Sequence, residues 1–244
     1  MIRVLSIDLW DTIVRRERGP FESYTLMKLE ALQRALGGSG EVTFSDILEV
    51  YKRVLEYKGV IPPRVFAKMI ALLVGYRPDD PVVEKAVQEY EEASYVYTPV
   101  LVPGARELLT FARRAGLKIV VVTNTSFSAK AVERILCNAG LCNMVDYIAS
   151  SADLGLMKPN PAIFHVALRA VQAEPSEAVH IGDSCIRDAL GAVLAGMKPM
   201  LLARSKGSLE ACRNVTGLTV VKDMYEALEL LKRMVESEGR PSRE

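Results

Sequence analysis

Short runs of consecutive apolar residues, several of them rich in Val and Ile, predict five buried strands in this chain. The runs cover residues 4–7, 118–122, 178–181, 200–203 and 218–221. They are apolar at successive positions, as expected for parallel strands that are covered by helices on both faces. The pattern therefore predicts a parallel sheet rather than a sheet with one face in water.

Segments with helical periodicity fill the gaps between the later strands. One helix is expected from Pro103 to Gly116, and others at about 128–138, 161–171, 188–195 and after Asp223. The alternation of helix and strand implies right-handed crossover connections. We therefore predict an α/β fold with a doubly wound, Rossmann-type parallel sheet.

About 80 residues after the first strand carry no strand signal, which is far too long for a plain loop. Apolar residues at helical spacing predict four helices there, at about 20–36, 44–55, 62–73 and 83–90. We expect residues 15–96 to form an inserted all-helical domain, with hinges near 14–18 and 95–98. The α/β core would then comprise residues 1–14 and 97–236, followed by a polar tail at 237–244.

Composition and charge exclude several classes of partner. The chain has 244 residues, with 31 Lys and Arg against 30 Asp and Glu. This balance gives no reason to expect nucleic acid, and no apolar run approaches the ~20 residues of a membrane span. Two aspartates interrupt the N-terminal apolar run, so it is not typical of a signal peptide, and we expect a cytoplasmic protein with a small-molecule substrate. The oligomeric state stays open.

The four cysteines are Cys137, Cys142, Cys185 and Cys212, and no two of them form a CxxC pair. They are a sparse framework for a chain of this length. We therefore expect reduced thiols with a structural role.

Polar residues follow three of the predicted strands: Asp8, Thr123 and Asp183. In an open parallel sheet, ligands bind at the carboxyl ends of the strands. Two carboxylates brought together there would repel unless a cation lay between them, and a hard divalent ion such as Mg²⁺ suits oxygen ligands. Lys158, in an irregular stretch before a helix, is available to neutralise an anionic group, although a solvated surface lysine is the simpler interpretation.

Four motifs in order resemble those of the haloacid dehalogenase superfamily of hydrolases. DLWDT at 8–12 resembles DxDxT, and VTN at 122–124 resembles a strand ending in Thr or Ser. KPNPAIF at 158–164 resembles KPxPxxF, and GDSCIRD at 182–188 resembles GDxxxxD. The inserted helices match the position and size of that family's helical cap of the first type.

The resemblance implies roles at individual residues. Asp8 would be a nucleophile that forms a covalent aspartyl intermediate. Thr123 would bond a phosphoryl oxygen, and Lys158 would hold the nucleophile and the phosphoryl group together. Thr12 and Asn124 would lie on the substrate side of the site.

The resemblance also implies a Mg²⁺ site. Asp8, Asp183 and the main-chain carbonyl of Trp10 would bind the ion. Asp188 would bind it through water, or would orient Lys158. Such a site supplies the charge neutralisation that phosphoryl transfer needs.

One position departs from the phosphatase pattern. The second Asp of DxDxT, which protonates the leaving group, is Trp10 here, and an indole cannot act as an acid. Asp11 is a weak substitute, since a turn residue is its simpler role. We expect Trp10 to shape the substrate pocket, although plain packing is the alternative.

The aromatic residue at position 10 leaves three functions open. A metal-dependent phosphohydrolase, with acyl or aryl phosphates as candidate substrates, is the first. A dehalogenase is the second, because the dehalogenases of this family carry Tyr at that position and halide leaves without a proton. A phosphate-binding or regulatory protein with impaired turnover is the third. Arg15 and Arg16, just beyond the first motif, either guide an anionic substrate or are simply solvated.

Overall fold

Six parallel strands form one sheet in the computed structural model, which describes residues 1–17, 21–37, 42–203 and 206–238. The strands are β1 (Val4–Ile7), β2 (Lys118–Thr123), β3 (Tyr147–Ser150), β4 (Ala178–Gly182), β5 (Lys198–Leu202) and β6 (Thr219–Val221). Their order is β3-β2-β1-β4-β5-β6. The chain thus winds outward from β1 in both directions, and the predicted doubly wound α/β fold is confirmed.

Four helices follow β1 before the chain returns to the sheet. They are α1 (Ser23–Leu36), α2 (Phe44–Arg53), α3 (Pro63–Leu73) and α4 (Pro81–Glu92). Thr43 caps α2 with a reciprocal capping box, and Asp80 caps α4 just before a proline at its first position. These caps fix where the two helices begin, and α4 begins two residues before its predicted start.

The four helices bury an apolar cluster of their own, separate from the core of the sheet. Leu32, Ile47, Phe66 and Ile70 are fully buried or nearly so within it. Each comes from the periodic apolar face of its helix. The assignment of residues 15–96 to an inserted domain with two hinges stays a prediction. Residues 18–20, which end the first expected hinge and begin the first expected helix, lie outside the described residues, as does the tail beyond 238.

Helices cover both faces of the sheet. They are α5 (Ala105–Arg114), α6 (Ala129–Asn138), α7 (Ser151–Leu154), α8 (Pro161–Ala170), α9 (Gly191–Leu194), α10 (Lys206–Cys212) and α11 (Met224–Glu238). Leu5 and Ile7 of β1 pack with α5, α6 and α11 on one face, and Val4 packs with α8 on the other. This double coverage explains why the strands are apolar at successive positions. Every helix in the described ranges is too short or too polar to span a bilayer.

The sequence prediction missed β3 and the short helices α7 and α10. β3 is an edge strand of four residues, and only its last two are buried. Its apolar run is therefore too short and too mixed to stand out from the loop around it. The expected helix at 188–195 begins earlier, as a wide π-type turn at Cys185–Leu190 that continues into α9.

The expectation of reduced cysteines is wrong. The structure pairs Cys137 with Cys142 and Cys185 with Cys212, and no described cysteine is free. The prediction used spacing along the chain, whereas pairing depends on distance in the fold. Cys185 and Cys212 are 27 residues apart in sequence, yet their Cα atoms lie 5.5 Å apart.

Candidate active site

The carboxyl edge of the sheet brings together the polar residues that follow its central strands. β1 lies between β2 and β4, with Ile7 level with Val121 on one side and with Ile181 on the other. Asp8, the next residue, donates its main-chain N–H to the Ile181 carbonyl at 2.9 Å. It therefore stands where the winding direction of the sheet reverses, which is the usual ligand position in such folds.

Lys158 lies at the centre of the site. Its Nζ is 2.6 Å from Asp8 Oδ1 and 2.6 Å from Asp188 Oδ1, and all three side chains are buried. Asn124 holds the main chain of Lys158 from both sides: it accepts the Lys158 N–H at 2.8 Å and donates to the Lys158 carbonyl at 3.0 Å. The solvated-surface interpretation of this lysine is therefore wrong.

The three charges shift one another's protonation. Burial raises the pKa of Asp8 to about 6, with the attraction of Lys158 acting against it. Burial also opposes ionisation of Asp188, but Lys158 and His180 outweigh it and hold the pKa of that carboxyl below its usual range. The pKa of Lys158 is raised, because its two carboxylate partners overcome the cost of burial. At neutral pH the site holds an ammonium between carboxylates.

Asp188 reaches the lysine because Gly182, at the end of β4, has no side chain. A Cβ at Gly182 would overlap the Asp188 carboxyl group. The other Asp188 oxygen, Oδ2, accepts the Ser184 N–H at 2.9 Å, inside the π-type turn. The glycine of the fourth motif thus leaves room for the last aspartate of the same motif.

His180 is a neighbour of the site that the sequence did not reveal. Its Nε2 lies 3.4 Å from Asp188 Oδ1, and its Nδ1 lies 2.8 Å from Ser6 Oγ. Burial lowers the pKa of His180, which favours the neutral ring. An ionised Asp188 only accepts, so Nε2 carries the proton and Nδ1 accepts from Ser6. A sequence signal did exist, because His180 is two residues before Gly182 and shares its face of the strand.

Asp8, Asp183 and Asp188 form an acidic cluster. One carboxylate oxygen from each lies within 4.8 Å of the others. The hydroxyl of Thr123 is buried nearby at the end of β2, and among the described residues it has no hydrogen-bond partner. Thr12 donates its hydroxyl to Asp8 Oδ2 at 3.3 Å. The edge of the sheet thus offers oxygen ligands and an unused hydroxyl beside one lysine.

Trp10 is both a packing residue and a wall of the adjoining cavity. Its ring stacks on Tyr24, with centroids 5.6 Å apart, and lies 5.8 Å from the ring of Phe127. Its Nε1 donates to Thr125 Oγ1 at 3.2 Å. A cavity of about 370 Å³ runs from Lys158 past Trp10 to residues of the inserted helical region. Trp10 therefore packs between aromatic rings and also lines the cavity, while its role in shaping a substrate pocket stays a prediction.

Asp11 has the turn role that the sequence predicts. It adopts a left-handed backbone with φ of 59°, and its Oδ1 accepts the Arg16 N–H at 3.1 Å. This local hydrogen bond occupies the carboxylate in the turn. Asp11 is therefore a poor substitute for the acid that position 10 lacks.

The edge of the sheet thus combines an aspartate after the first strand with a lysine held between carboxylates. Residues 2–196 match the family model of haloacid dehalogenase-like hydrolases, and the chain belongs to this family, as its motifs predict. It is 28% identical to haloacid dehalogenase-like hydrolase domain-containing protein 3 of Xenopus laevis, over 82% of this chain and 84% of that protein.

Two further comparisons agree. The chain is 26% identical to the glyceraldehyde 3-phosphate phosphatase of Pyrococcus furiosus, over 95% of this chain and 94% of the relative. Its fold resembles the 2-haloacid dehalogenase of Pseudomonas syringae pv. Tomato DC3000, with a TM-score of 0.66 at 20% identity over 96% of this chain and all of that one. At this identity the structural likeness establishes the fold alone.

Proposed function

We propose that the protein is a Mg²⁺-dependent phosphohydrolase that acts through an aspartyl phosphate on Asp8. The observation that carries the proposal is the lysine at 2.6 Å from two buried carboxylates, beside a third carboxylate at the same sheet edge. Such a site suits a phosphoryl group, whose transfer depends on positioning and on neutralising charge. Relatives named as phosphatases, such as the one from Pyrococcus furiosus, support this choice.

The donor set fits Mg²⁺. Asp8, Asp183 and Asp188 supply hard carboxylate oxygens within 4.8 Å of one another, and such oxygens are the preferred ligands of this ion. We assign Asp8 and Asp183 as direct ligands with the Trp10 carbonyl, and Asp188 as a ligand through water or the group that orients Lys158. A bound ion would neutralise negative charge on the phosphoryl oxygens and on the nucleophile.

Asp8 provides the covalent step. A carboxylate oxygen of Asp8 attacks phosphorus, the bond from phosphorus to the leaving oxygen breaks, and that oxygen keeps the electron pair. Water then attacks the phosphorus of the aspartyl phosphate and releases phosphate and the free Asp8 carboxylate. The unused Thr123 hydroxyl is suited to donate to a phosphoryl oxygen, and Lys158 keeps the phosphoryl charge and Asp8 in contact.

Trp10 restricts the leaving group. Its indole is buried, and its N–H is directed to Thr125, so it offers no proton to a departing oxygen. General acid catalysis is worth roughly 10²–10⁴-fold in rate, so a leaving group that departs as an anion is favoured. We therefore propose small aryl or acyl phosphates as substrates, with α1 to α4 forming a cap that excludes water.

Hydrolysis of 4-nitrophenyl phosphate tests the proposal. Turnover should require Mg²⁺, stop with EDTA and fall at least about 10³-fold in Asp8→Asn. Asp11→Asn is the matched control, because it removes a carboxylate three residues away and Asn tolerates the left-handed backbone of that turn. It should keep wild-type turnover. Activity that survives chelation, or survives in Asp8→Asn, would contradict the proposal.

Dehalogenation is a second candidate, favoured by the aromatic residue at position 10. Halide leaves without a proton, so the missing acid is no handicap in that reaction. It predicts halide release from 2-chloropropionate in the presence of EDTA. The lysine and acidic cluster favour the phosphoryl reaction, and the absence of released halide would remove this candidate.

A further inference from the structure

Two arginines line the cavity beside Lys158. Arg16 lies on the segment that leads from β1 towards α1, and Arg187 lies in the π-type turn that carries Asp188. Both are exposed. In the described part of the chain, neither guanidinium has a carboxylate within 4.0 Å, and Glu22 is the one carboxylate among the cavity residues. The cavity thus has positive charge that the described residues leave unbalanced.

The other cations of the cavity already have partners. Lys158 is held by Asp8 and Asp188. Lys58 donates to the Tyr51 hydroxyl at 2.9 Å and to Thr25 Oγ1 at 3.1 Å, and it lies 3.8 Å from Glu22. Two of its protons are therefore donated to hydroxyl oxygens, and its charge is paired with Glu22. Among the described cations of the cavity, only the two arginines have no carboxylate partner at their charged group.

We infer that Arg16 and Arg187 form a subsite for a second anionic group on the substrate. The inference rests on the proposed function: with the phosphoryl group at Asp8 and Lys158, the rest of the molecule extends into the cavity towards the arginines. A guanidinium binds a carboxylate or a phosphate through paired N–H donors. The substrate class is then a small aryl or acyl phosphate that carries a carboxylate or a second phosphate.

Trp10 reports binding in this cavity. It is the only tryptophan of the chain, and the guanidinium carbon of Arg16 lies 6.0 Å from its ring centroid. A ligand that draws Arg16 towards it changes the surroundings of the indole. Fluorescence at this residue thus measures occupancy without any turnover.

Matched aryl phosphates test the subsite. 4-Carboxyphenyl phosphate and 4-carbamoylphenyl phosphate have nearly the same shape and differ in charge, so this pair tests recognition of a carboxylate. Hydroquinone bisphosphate and 4-hydroxyphenyl phosphate form the second pair, which tests recognition of a second phosphate. We expect kcat/KM to favour the anionic member by about tenfold, mainly through KM. Arg187→Gln and Arg16→Gln should each reduce this preference several-fold. Arg169→Gln, an exposed arginine on α8, is the control and should keep it.

Binding to Asp8→Asn separates this inference from the proposed function. Titration of each pair, followed by Trp10 fluorescence and calorimetry, should show tighter binding of the anionic member even if the protein hydrolyses none of the probes. Equal affinity for both members would overturn the subsite. The subsite would also be overturned if an arginine variant lowered the affinity for both members of a pair equally, because that arginine would then bind the phosphoryl group that both members share. No binding of any probe at millimolar concentration would overturn it too.

Discussion

Replacing Lys158 with Met leaves two buried carboxylates facing each other without a cation. The oxygens of Asp8 and Asp188 lie within 4.8 Å, and two unit charges at that distance repel by about 3.5 kcal/mol at an effective dielectric of 20. Removing one partner of a buried ion pair usually costs about 3–5 kcal/mol. For a chain of this size the loss corresponds to a fall in Tm of roughly 6–20 °C.

Thermal unfolding in EDTA at pH 7.5 measures this loss. Lys118→Met is the matched control, because it removes the same charge from a lysine that is 55% exposed and pairs with Asp146 at 3.2 Å. Such a surface pair contributes about 1 kcal/mol or less, so the control should melt within about 4 °C of the wild type. Adding Mg²⁺ should raise the Tm of Lys158→Met more than that of the wild type, since the ion would replace the missing positive charge. A Tm within 2 °C of the wild type in EDTA would refute the argument.

Three further changes probe other features. Burial lowers the pKa of Lys28 to about 7, against 10.5 for a free lysine. Between pH 7 and pH 10.5 this lysine is therefore protonated in the unfolded chain and neutral in the native state. Native stability should therefore rise with pH over that range, and Lys28→Met should raise Tm by at least about 3 °C more at pH 6 than at pH 9.5; an equal change at both values would contradict the assignment. Gly182→Ala should displace Asp188 and lower kcat about 10²-fold or more with the fold retained by circular dichroism, since a Cβ there has no room; wild-type kcat would disprove the steric account. Trp10→Asp should raise the ratio of alkyl phosphate turnover to aryl phosphate turnover by about 10²-fold, because the new carboxyl group can protonate the leaving oxygen. It should also lower the free energy of unfolding by about 3–5 kcal/mol, because a buried aromatic ring is lost. An unchanged ratio would show that the missing acid does not limit alkyl phosphate turnover.

Most of the fold was predictable because its signals are local. β1, β2, β4 and β5 are buried along almost their whole length, whereas β6 is a partly exposed edge strand that its apolar run still revealed. Helices such as α2 and α4 begin at capping residues that are visible in the sequence. β3 was missed because an edge strand with two half-buried residues lacks that contrast. The cysteine pairs were missed because they depend on which segments the fold brings together.

The residues of the candidate site also divide into those with a local sequence signal and those that only the fold brings together. Asp8, Thr123 and Asp183 are recognisable because each follows a predicted strand, and the register of the sheet then brings them together. Lys158 was a candidate from its position before a helix, and the motif resemblance favoured it over the interpretation as a solvated surface lysine. His180 lies in the interior of a buried strand, where the sequence alone gives no reason for a polar side chain until its partner is known. Its position two residues before Gly182, on the same face of β4, was the available signal, but the fold was needed to identify Asp188 as its partner.

The bond between Cys185 and Cys212 ties the turn that bears Asp188 to a separate helix, α10. Asp8 and Asp183 at the neighbouring sheet edge repel Asp188 whenever no cation offsets their charge. The disulfide limits how far the turn that bears Asp188 can move away from them. Asp188 is thus held close to the other two aspartates, and binding of the proposed Mg²⁺ would require little rearrangement of this turn. In reducing surroundings the same turn would lose this restraint, so we expect the position of Asp188 to depend on the redox state of a cysteine pair that does not line the cavity.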